Sequence, residues 1–241
     1  MSTRYAQVVI PNFGGGAHSC VRENHTFCWS WVKDNWSDVL SPALTHHIVL
    51  TLIAVGIGFV IAMVLALVAL RFGWFERPVT LATGILYTIP SLALFQILVP
   101  ITGLTDTSAE IALVSYTLLI LFRNILLGLR GVPDEVLEAA RGMGLSGRQL
   151  LWRVQLPLAL PAIVAGLRIA TVTVISLATI AAYISVQSLG TPIFAAIQSA
   201  VFKTEILAAG GLAIALALVA DAILVLVQRF LTPWARAGRA S

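Results

Sequence analysis

Five largely apolar stretches, each long enough to cross a lipid bilayer, constrain the fold of this chain more than any other feature. A membrane-spanning helix needs about 20 mostly apolar residues, and the stretches cover residues 42–70, 79–101, 109–129, 161–184 and 205–230. Only 11% of the residues are charged, whereas a soluble domain carries about 25%. We therefore predict an all-α integral membrane protein with five transmembrane helices, the second of them kinked at Pro90.

Orientation in the membrane is predicted from the positions of the arginines. Thirteen of the 15 basic residues are arginines in short clusters between the apolar stretches, which is typical of cytoplasmic loops and not of a nucleic-acid interface. The positive-inside rule then predicts an external N-terminus and a cytoplasmic C-terminus. Arg4, Arg22 and Lys33 oppose this orientation, but they lie in a long N-terminal segment, and Lys203 is the one basic residue in the other external segments. The residues on the predicted cytoplasmic side are Arg71, Arg77, Arg130, Arg141, Arg148, Arg153, Arg229, Arg236 and Arg239.

The chain divides into an external N-terminal segment (1–41), a transmembrane domain (42–230) and a cytoplasmic tail (231–241). The external segment shows no removable signal peptide. Its second half has apolar residues at helical spacing, which predicts either an amphipathic helix on the outer leaflet or extra turns leading into the first span. Cys20 and Cys28 would lie outside, where a disulfide can form. We expect no metal site, because their spacing with His18 and His25 matches no usual zinc pattern. The apolar residues are Trp29, Val32, Trp36, Val39 and Leu40.

The predicted cytoplasmic loop, residues 130–160, carries signals for two short helices. Pro133 favours a helix start, and Gly142 and Gly144 favour its end. Ser146 can cap a second helix over residues 147–155. A compact knob that projects from the membrane and an amphipathic loop lying on the inner leaflet both fit this pattern.

A motif in this loop resembles a known signature. Glu138-Ala139-Ala140, then three residues, Gly144, nine residues, Val154, one residue and Leu156-Pro157 are similar to the EAA motif of ABC importer permeases of type I, with valine in place of the usual isoleucine. In that family the loop forms a coupling helix that docks on the ATPase subunit. The resemblance implies that a pair of ATPase subunits contacts Glu138, Ala139, Ala140, Gly144 and Leu145.

The likeness covers about residues 44–230 and is strongest to the osmoprotectant branch, whose permeases serve glycine betaine, choline, carnitine and proline betaine. It is carried by residues 88–94, 123–124, 128–132 and 156–161, and it departs at residues 185–192. The resemblance implies a bacterial inner-membrane permease with a second permease copy or a paralogue and a separate extracytoplasmic binding protein. Permeases for other small solutes, such as amino acids, share the EAA motif, so that alternative stays open.

The chain itself is predicted not to be an enzyme. Neither Lys33 nor Lys203 follows a glycine, so no phosphate-binding loop exists and the nucleotide must bind a partner ATPase. We therefore expect no cofactor in this chain. His46 and His47 adjoin the first span, but adjacent histidines on a helix point in different directions and do not form a catalytic or metal-binding set.

Ionisable residues inside spans are functional candidates. Arg123, Arg168 and Asp221 all lie at a depth of roughly 10–13 Å from the cytoplasmic side, which predicts a charge cluster in which Asp221 offsets one or both arginines. The alternative is that both arginines extend to the headgroups and Asp221 lines a water-filled cavity. Tyr87, Tyr116 and Tyr183 are possible pathway-lining residues, because aromatic faces attract quaternary ammonium ions. Simple packing of these tyrosines is the alternative.

Overall fold

The computed structural model describes residues 19–198 and 202–233, and every regular element in these ranges is helical. The tail beyond residue 233, with Arg236 and Arg239, and the first 18 residues, with Arg4 and His18, lie outside the described residues. Short π-helical turns precede α3 (Trp36–Leu40) and α9 (Leu151–Gln155). The α-helices are α1 Ser19–Arg22, α2 Trp29–Asp34, α3 Ser41–Arg71, α4 Glu76–Thr88, α5 Ser91–Thr102, α6 Asp106–Arg130, α7 Asp134–Gly142, α8 Gly147–Leu150, α9 Leu156–Ile180, α10 Gly190–Gln198 and α11 Lys203–Leu231.

Four continuous helical segments among the described residues are long and apolar enough to cross a membrane: Trp36–Arg71, Asp106–Arg130, Gly147–Ile184 and Lys203–Leu231. The predicted second span is instead a pair of helices, Gly73–Thr88 and Ser91–Thr102, that meet at 97°. The pair makes a fifth crossing only if it is counted as one broken span.

The bend lies at Pro90, where a kink was predicted, but at 97° it breaks the span into two helices. Proline lacks an N–H group and disfavours helical geometry at the residue before it, and Ile89 is extended, with φ −65° and ψ 128°. The Tyr116 hydroxyl of α6 donates a hydrogen bond to the Ile89 carbonyl. A neighbouring helix therefore satisfies a backbone group at the break, so the chain can turn sharply here at membrane depth.

Helix α6 is the centre of the bundle and packs against α3, α4, α5 and α9. Close approach of α3 depends on small residues along one face. A Cβ atom on Gly58 would lie 1.9 Å from Oγ1 of Thr117 on α6, and a Cβ on Gly166 of α9 would lie 2.5 Å from Cβ of Asn124. Small residues let membrane helices pack at short range. The other small, fully buried residues on this face of α3 are Ala54, Ala62, Ala66 and Ala69.

The described part of the N-terminal segment, residues 19–40, packs against the start of α11. A disulfide joins Cys20 to Cys28, and Trp31 of α2 contacts Phe202 edge to face, with ring centroids 5.3 Å apart. Trp29 and Trp36 are exposed, as an interfacial segment requires. The helix breaks at Asn35 and resumes at Trp36, where it runs directly into α3. Residues 36–40 therefore form extra helical turns that lead into the first span, which is one of the two predicted alternatives.

Candidate functional site

Helices α7 and α8 form a small knob at the end of the bundle where α6 finishes and α9 begins. Asp134 and Glu135 lie in the first turn of α7 and Arg141 in its last turn, which complements the helix dipole at both ends. A glycine corner then closes α7. Gly144 has φ +82°, its N–H donates to the Arg141 carbonyl at 2.9 Å, and the Leu145 N–H donates to the Ala140 carbonyl at 3.2 Å. This pair of bonds is the Schellman arrangement that ends helices at a left-handed glycine.

The chain leaves the knob through α8. The Ser146 hydroxyl accepts a hydrogen bond from the Gln149 N–H at 3.4 Å, and the Gln149 side chain accepts one from the Ser146 N–H at 2.9 Å. This capping box begins a helix that continues without interruption from Gly147 to Ile184. The knob is therefore joined to the membrane bundle by one helical rod of 38 residues, about 57 Å long at 1.5 Å per residue.

Most of the residues predicted to contact a partner lie on the surface of the knob. Glu138, Ala139 and Gly144 are exposed, and Leu145 is half-buried. Ala140 corrects the prediction, because its side chain is 2% exposed and packs inside the knob. Its small size supports the fold of the corner, where its carbonyl receives the Leu145 N–H.

Sequence reasoning missed Met143. This residue lies between the two glycines of the corner, and its side chain is 74% exposed. Met is a flexible apolar side chain that is common at adaptable protein interfaces. The available signal was a methionine in an otherwise polar corner, and a large exposed apolar residue on such a projection indicates a contact surface.

Arg168 and Asp221 form a two-pronged ion pair between α9 and α11. The guanidinium Nε and Nη2 atoms donate to the two carboxylate oxygens at 2.7 and 2.9 Å. Each side chain is 34% exposed, and the pair borders an open cavity of about 400 Å³ that also includes Ala165, Ile169 and Val172. Arg–carboxylate pairs of this geometry fix orientation as well as distance.

Arg123 does not join this pair, so Asp221 offsets one of the two arginines of the predicted cluster, and the membership of Arg123 is corrected. Its side chain is exposed on α6, and within residues 19–198 and 202–233 it has no salt bridge. The physical reason is helical phase. The core-facing residues of α6 near this point are Phe122, Ile125 and Leu126, so Arg123 shares the opposite face with Leu127 and Arg130.

The three predicted tyrosines do not form one site. Tyr116 is buried and bonds the bend at Ile89, so it packs and does not line an open path. Tyr87 is 40% exposed, contacts Tyr116 edge to face at 5.9 Å and lines an open groove of about 680 Å³ beside Thr88 and Leu119. Tyr183 lies elsewhere and contacts Phe194 at 6.2 Å.

Residues 47–236 match the family described as "binding-protein-dependent transport system inner membrane component". The chain belongs to this family. It is therefore a multi-pass membrane permease component of a transport system, and the knob and the long apolar helices are both parts of it.

Proteins with sequences similar to this permease component are named as permeases of transport systems. The chain is 35% identical over 189 residues to the choline transport system permease protein OpuBB of Bacillus subtilis. The aligned residues are 78% of this chain and 86% of the relative. It is 36% identical over 209 residues to the osmoprotectant import permease protein OsmW of Salmonella typhimurium, covering 84% and 96%.

A solved structure shares the fold of the permease component. A chain from an inward-facing structure of the MetNI methionine ABC transporter aligns with a TM-score of 0.71 over 80% of this chain and 96% of that chain. The sequence identity is 19%, so this likeness supports the type I permease fold and carries no argument about substrate.

Proposed function

We propose that this chain is the translocation-pathway subunit of an ATP-driven importer of osmoprotectants such as glycine betaine, choline or related quaternary amines. One observation carries the proposal: the EAA-like residues form an exposed helical knob on a membrane bundle, in a chain similar to choline and osmoprotectant permeases over most of its length. Import of another small solute, such as an amino acid, is the alternative.

The knob is the proposed docking element for an ATPase subunit on the cytoplasmic side. Its surface offers Glu138, Ala139, Gly144 and Leu145 together with the apolar side chain of Met143. Small residues allow close approach of a partner, and an exposed methionine fits an apolar groove. The arginines near this end of the bundle support the cytoplasmic assignment by the positive-inside rule.

Force is transmitted from the knob to the pathway by the continuous helix Gly147–Ile184. A movement of the knob tilts this rod, because no flexible loop separates α8 from α9. The Arg168–Asp221 pair then makes α11 follow α9, since a two-pronged bond resists rotation as well as separation. The role proposed for this pair is therefore mechanical coupling of two spans near the cytoplasmic side.

The proposed cycle is alternating access with two permease subunits, identical or paralogous, around a shared pathway. A separate external binding protein delivers the ligand, and a pair of partner ATPases binds and hydrolyses ATP. In this scheme the permease needs no cofactor of its own. Tyr87, exposed in the groove beside α4, is the tyrosine best situated to meet a quaternary ammonium ion through its ring face.

The test is uptake by proteoliposomes that contain the permease, its ATPase and its binding protein. We expect ATP-dependent accumulation of radiolabelled glycine betaine or choline, and none when the ATPase is omitted. Preferred accumulation of methionine or another amino acid would replace the substrate class but keep the permease assignment. ATP-independent uptake would refute the proposal as a whole.

A further inference from the structure

Two adjacent histidines at the end of the bundle opposite the knob bond the same short connector. The connector (residues 185–189) joins the helical segment that ends at Ile184 to α10. His46 Nδ1 lies 2.6 Å from the Gln187 carbonyl oxygen. His47 Nδ1 accepts a hydrogen bond from the Leu189 N–H at 3.3 Å. Both histidines belong to α3, so α3 holds the connector at two points.

The hydrogen-bond partners assign opposite protonation states to the two rings. His47 meets a donor, the Leu189 N–H, at Nδ1 and an acceptor, the Ile175 carbonyl, at Nε2 with 3.0 Å. A neutral imidazole protonated on Nε2 satisfies both partners. The His47 side chain is fully buried, which also favours the neutral ring.

His46 meets two groups that can only accept. Its Nδ1 faces the Gln187 carbonyl at 2.6 Å, and its Nε2 faces the Asp106 carboxylate at 3.0 Å. A neutral imidazole carries one N–H and bonds only one of these acceptors, whereas the imidazolium ion bonds both. The His46 side chain is 29% exposed and that of Asp106 61%, so the pair is not sealed inside the bundle.

Three other titratable groups lie near His46. His47 follows it on α3, and Asp106 and Glu110 lie one turn apart on α6; Glu110 interacts electrostatically with both His46 and Asp106. Both Glu110 carboxylate oxygens are buried, and among the described residues neither has a hydrogen-bond partner.

The connector itself is closely packed and has a defined shape. Ser185 is in the left-handed region with φ +64°, and Val186, Ser188 and Leu189 are buried. A Cβ atom on Gly190 would lie 1.7 Å from the Thr179 carbonyl oxygen. A change of one hydrogen bond at Gln187 is therefore passed to α10 and to the end of α9 and is not absorbed by a loose loop.

We propose that His46 and His47 are positioning residues for the external side of the transport pathway, and that His46 makes the connector sensitive to external pH. His47 holds the connector at all pH values near neutrality. His46 adds a second hold only while it is doubly protonated, so the connector loosens as the external pH rises. The external location of the two histidines rests on the proposed function and its orientation of the chain.

Amide hydrogen exchange of the purified protein tests this without any transport measurement. We expect the protection of residues 185–191 against exchange, corrected for the intrinsic effect of pH, to fall about tenfold as the pH is raised through the range in which an imidazolium loses its proton. This is the effect of losing roughly one charge-assisted hydrogen bond. In His46→Gln the protection is expected to be low and independent of pH. In His47→Gln it is expected to be lower at every pH, with the dependence on pH retained.

Two further variants complete the design. His25→Gln is the matched control, because His25 is an exposed histidine paired with Glu23 in the N-terminal segment, and it should keep the wild-type profile. Asp106→Asn should shrink the pH effect if His46→Gln fails to fold. Wild-type protection that does not change with pH, or an unchanged pH effect in both His46→Gln and Asp106→Asn, would overturn the proposal. If the chain proves to carry a different solute, this result stands unaffected.

Discussion

The side-chain oxygen of Asn24 accepts a hydrogen bond from the backbone N–H of Lys203 at 3.1 Å, across 179 positions of sequence. Lys203 is the first residue of α11, and the residue before that helix, Phe202, provides no side-chain cap. Nearby, the Cys28 N–H donates to the Thr204 hydroxyl at 2.9 Å. The disulfide-closed N-terminal segment therefore supplies the cap that α11 lacks locally.

Replacing Asn24 with alanine should destabilise the start of α11. Loss of a capping side chain costs about 0.5–2 kcal/mol, so we expect a lower thermal midpoint and faster amide exchange in residues 203–206. Ser37→Ala is the control, since the Ser37 hydroxyl bonds the neighbouring Asp38 carboxylate at the surface. Equal exchange at residues 203–206 in both variants would show that the cap has no energetic role.

Gly58→Ala should disrupt the contact between α3 and α6. The added Cβ atom would lie 1.9 Å from Thr117 Oγ1, and overpacking of this kind costs roughly 1–3 kcal/mol. Gly56→Ala on the same helix is the matched control, because its added Cβ meets no atom within 4 Å. It should leave the thermal midpoint unchanged or raise it slightly.

The double variant Gly58→Ala with Thr117→Ala tests the mechanism of that loss. Removing the Thr117 hydroxyl relieves the clash, so the double variant should be more stable than Gly58→Ala alone. The measurement is the thermal midpoint of the wild type, the two single variants and the double variant. Strictly additive decreases of the midpoint would show that the two residues do not contact.

Separation of Arg168 from Asp221 should weaken the attachment of α11 to α9. We expect Asp221→Asn and Arg168→Gln to lower the thermal midpoint and the uptake rate, because each leaves one charge without its partner at membrane depth. Arg168→Lys should be intermediate, since lysine keeps the charge but cannot form the two-pronged bond. Arg123→Gln is the control and should resemble wild type in stability. A normal midpoint for Asp221→Asn would contradict the coupling role.

Substitution of Gly144 by valine should abolish uptake while the subunits still assemble in the membrane. Gly144 has φ +82°, which is costly for a β-branched residue by about 1–2 kcal/mol or more, so the corner of the knob would reshape. Gly142→Val is the matched control, because a Cβ there meets no atom within 4 Å and its backbone is in the ordinary region. ATP-dependent uptake and co-purification of the ATPase are the measurements; undiminished uptake by Gly144→Val would refute the coupling role.

Tyr116→Phe should loosen the bend between α4 and α5. The change removes the hydroxyl that bonds the Ile89 carbonyl and keeps the ring contact with Tyr87, so a cost of about 1–3 kcal/mol in unfolding free energy is expected from the unpaired carbonyl. Tyr183→Phe, at an exposed ring, should have little effect. Equal midpoints for the two variants would show that water or lipid satisfies the carbonyl instead.

Local physical chemistry made much of the fold predictable from the sequence. Apolar runs of sufficient length give spanning helices whatever their neighbours, and four of the five predicted stretches are continuous helices. The two short helices of the loop and the corner between them were equally predictable, because Pro133, Gly144 and Ser146 act on the backbone within one or two turns. These residues alone did not decide between a knob and an amphipathic loop. Such effects depend on residues that are adjacent in the chain, so the sequence contains them directly.

Partners distant in sequence decided the rest. A kink at Pro90 became a 97° bend where Tyr116 satisfies the broken backbone, and Arg123 failed to join Asp221 because the packing of α6 turned it to the opposite face. The two histidines gained their roles only from a connector about 140 residues later. Hydropathy and capping determine which segments are helices. The rotation of each helix about its axis and the partner of each polar group are set by packing, which no local sequence pattern specifies.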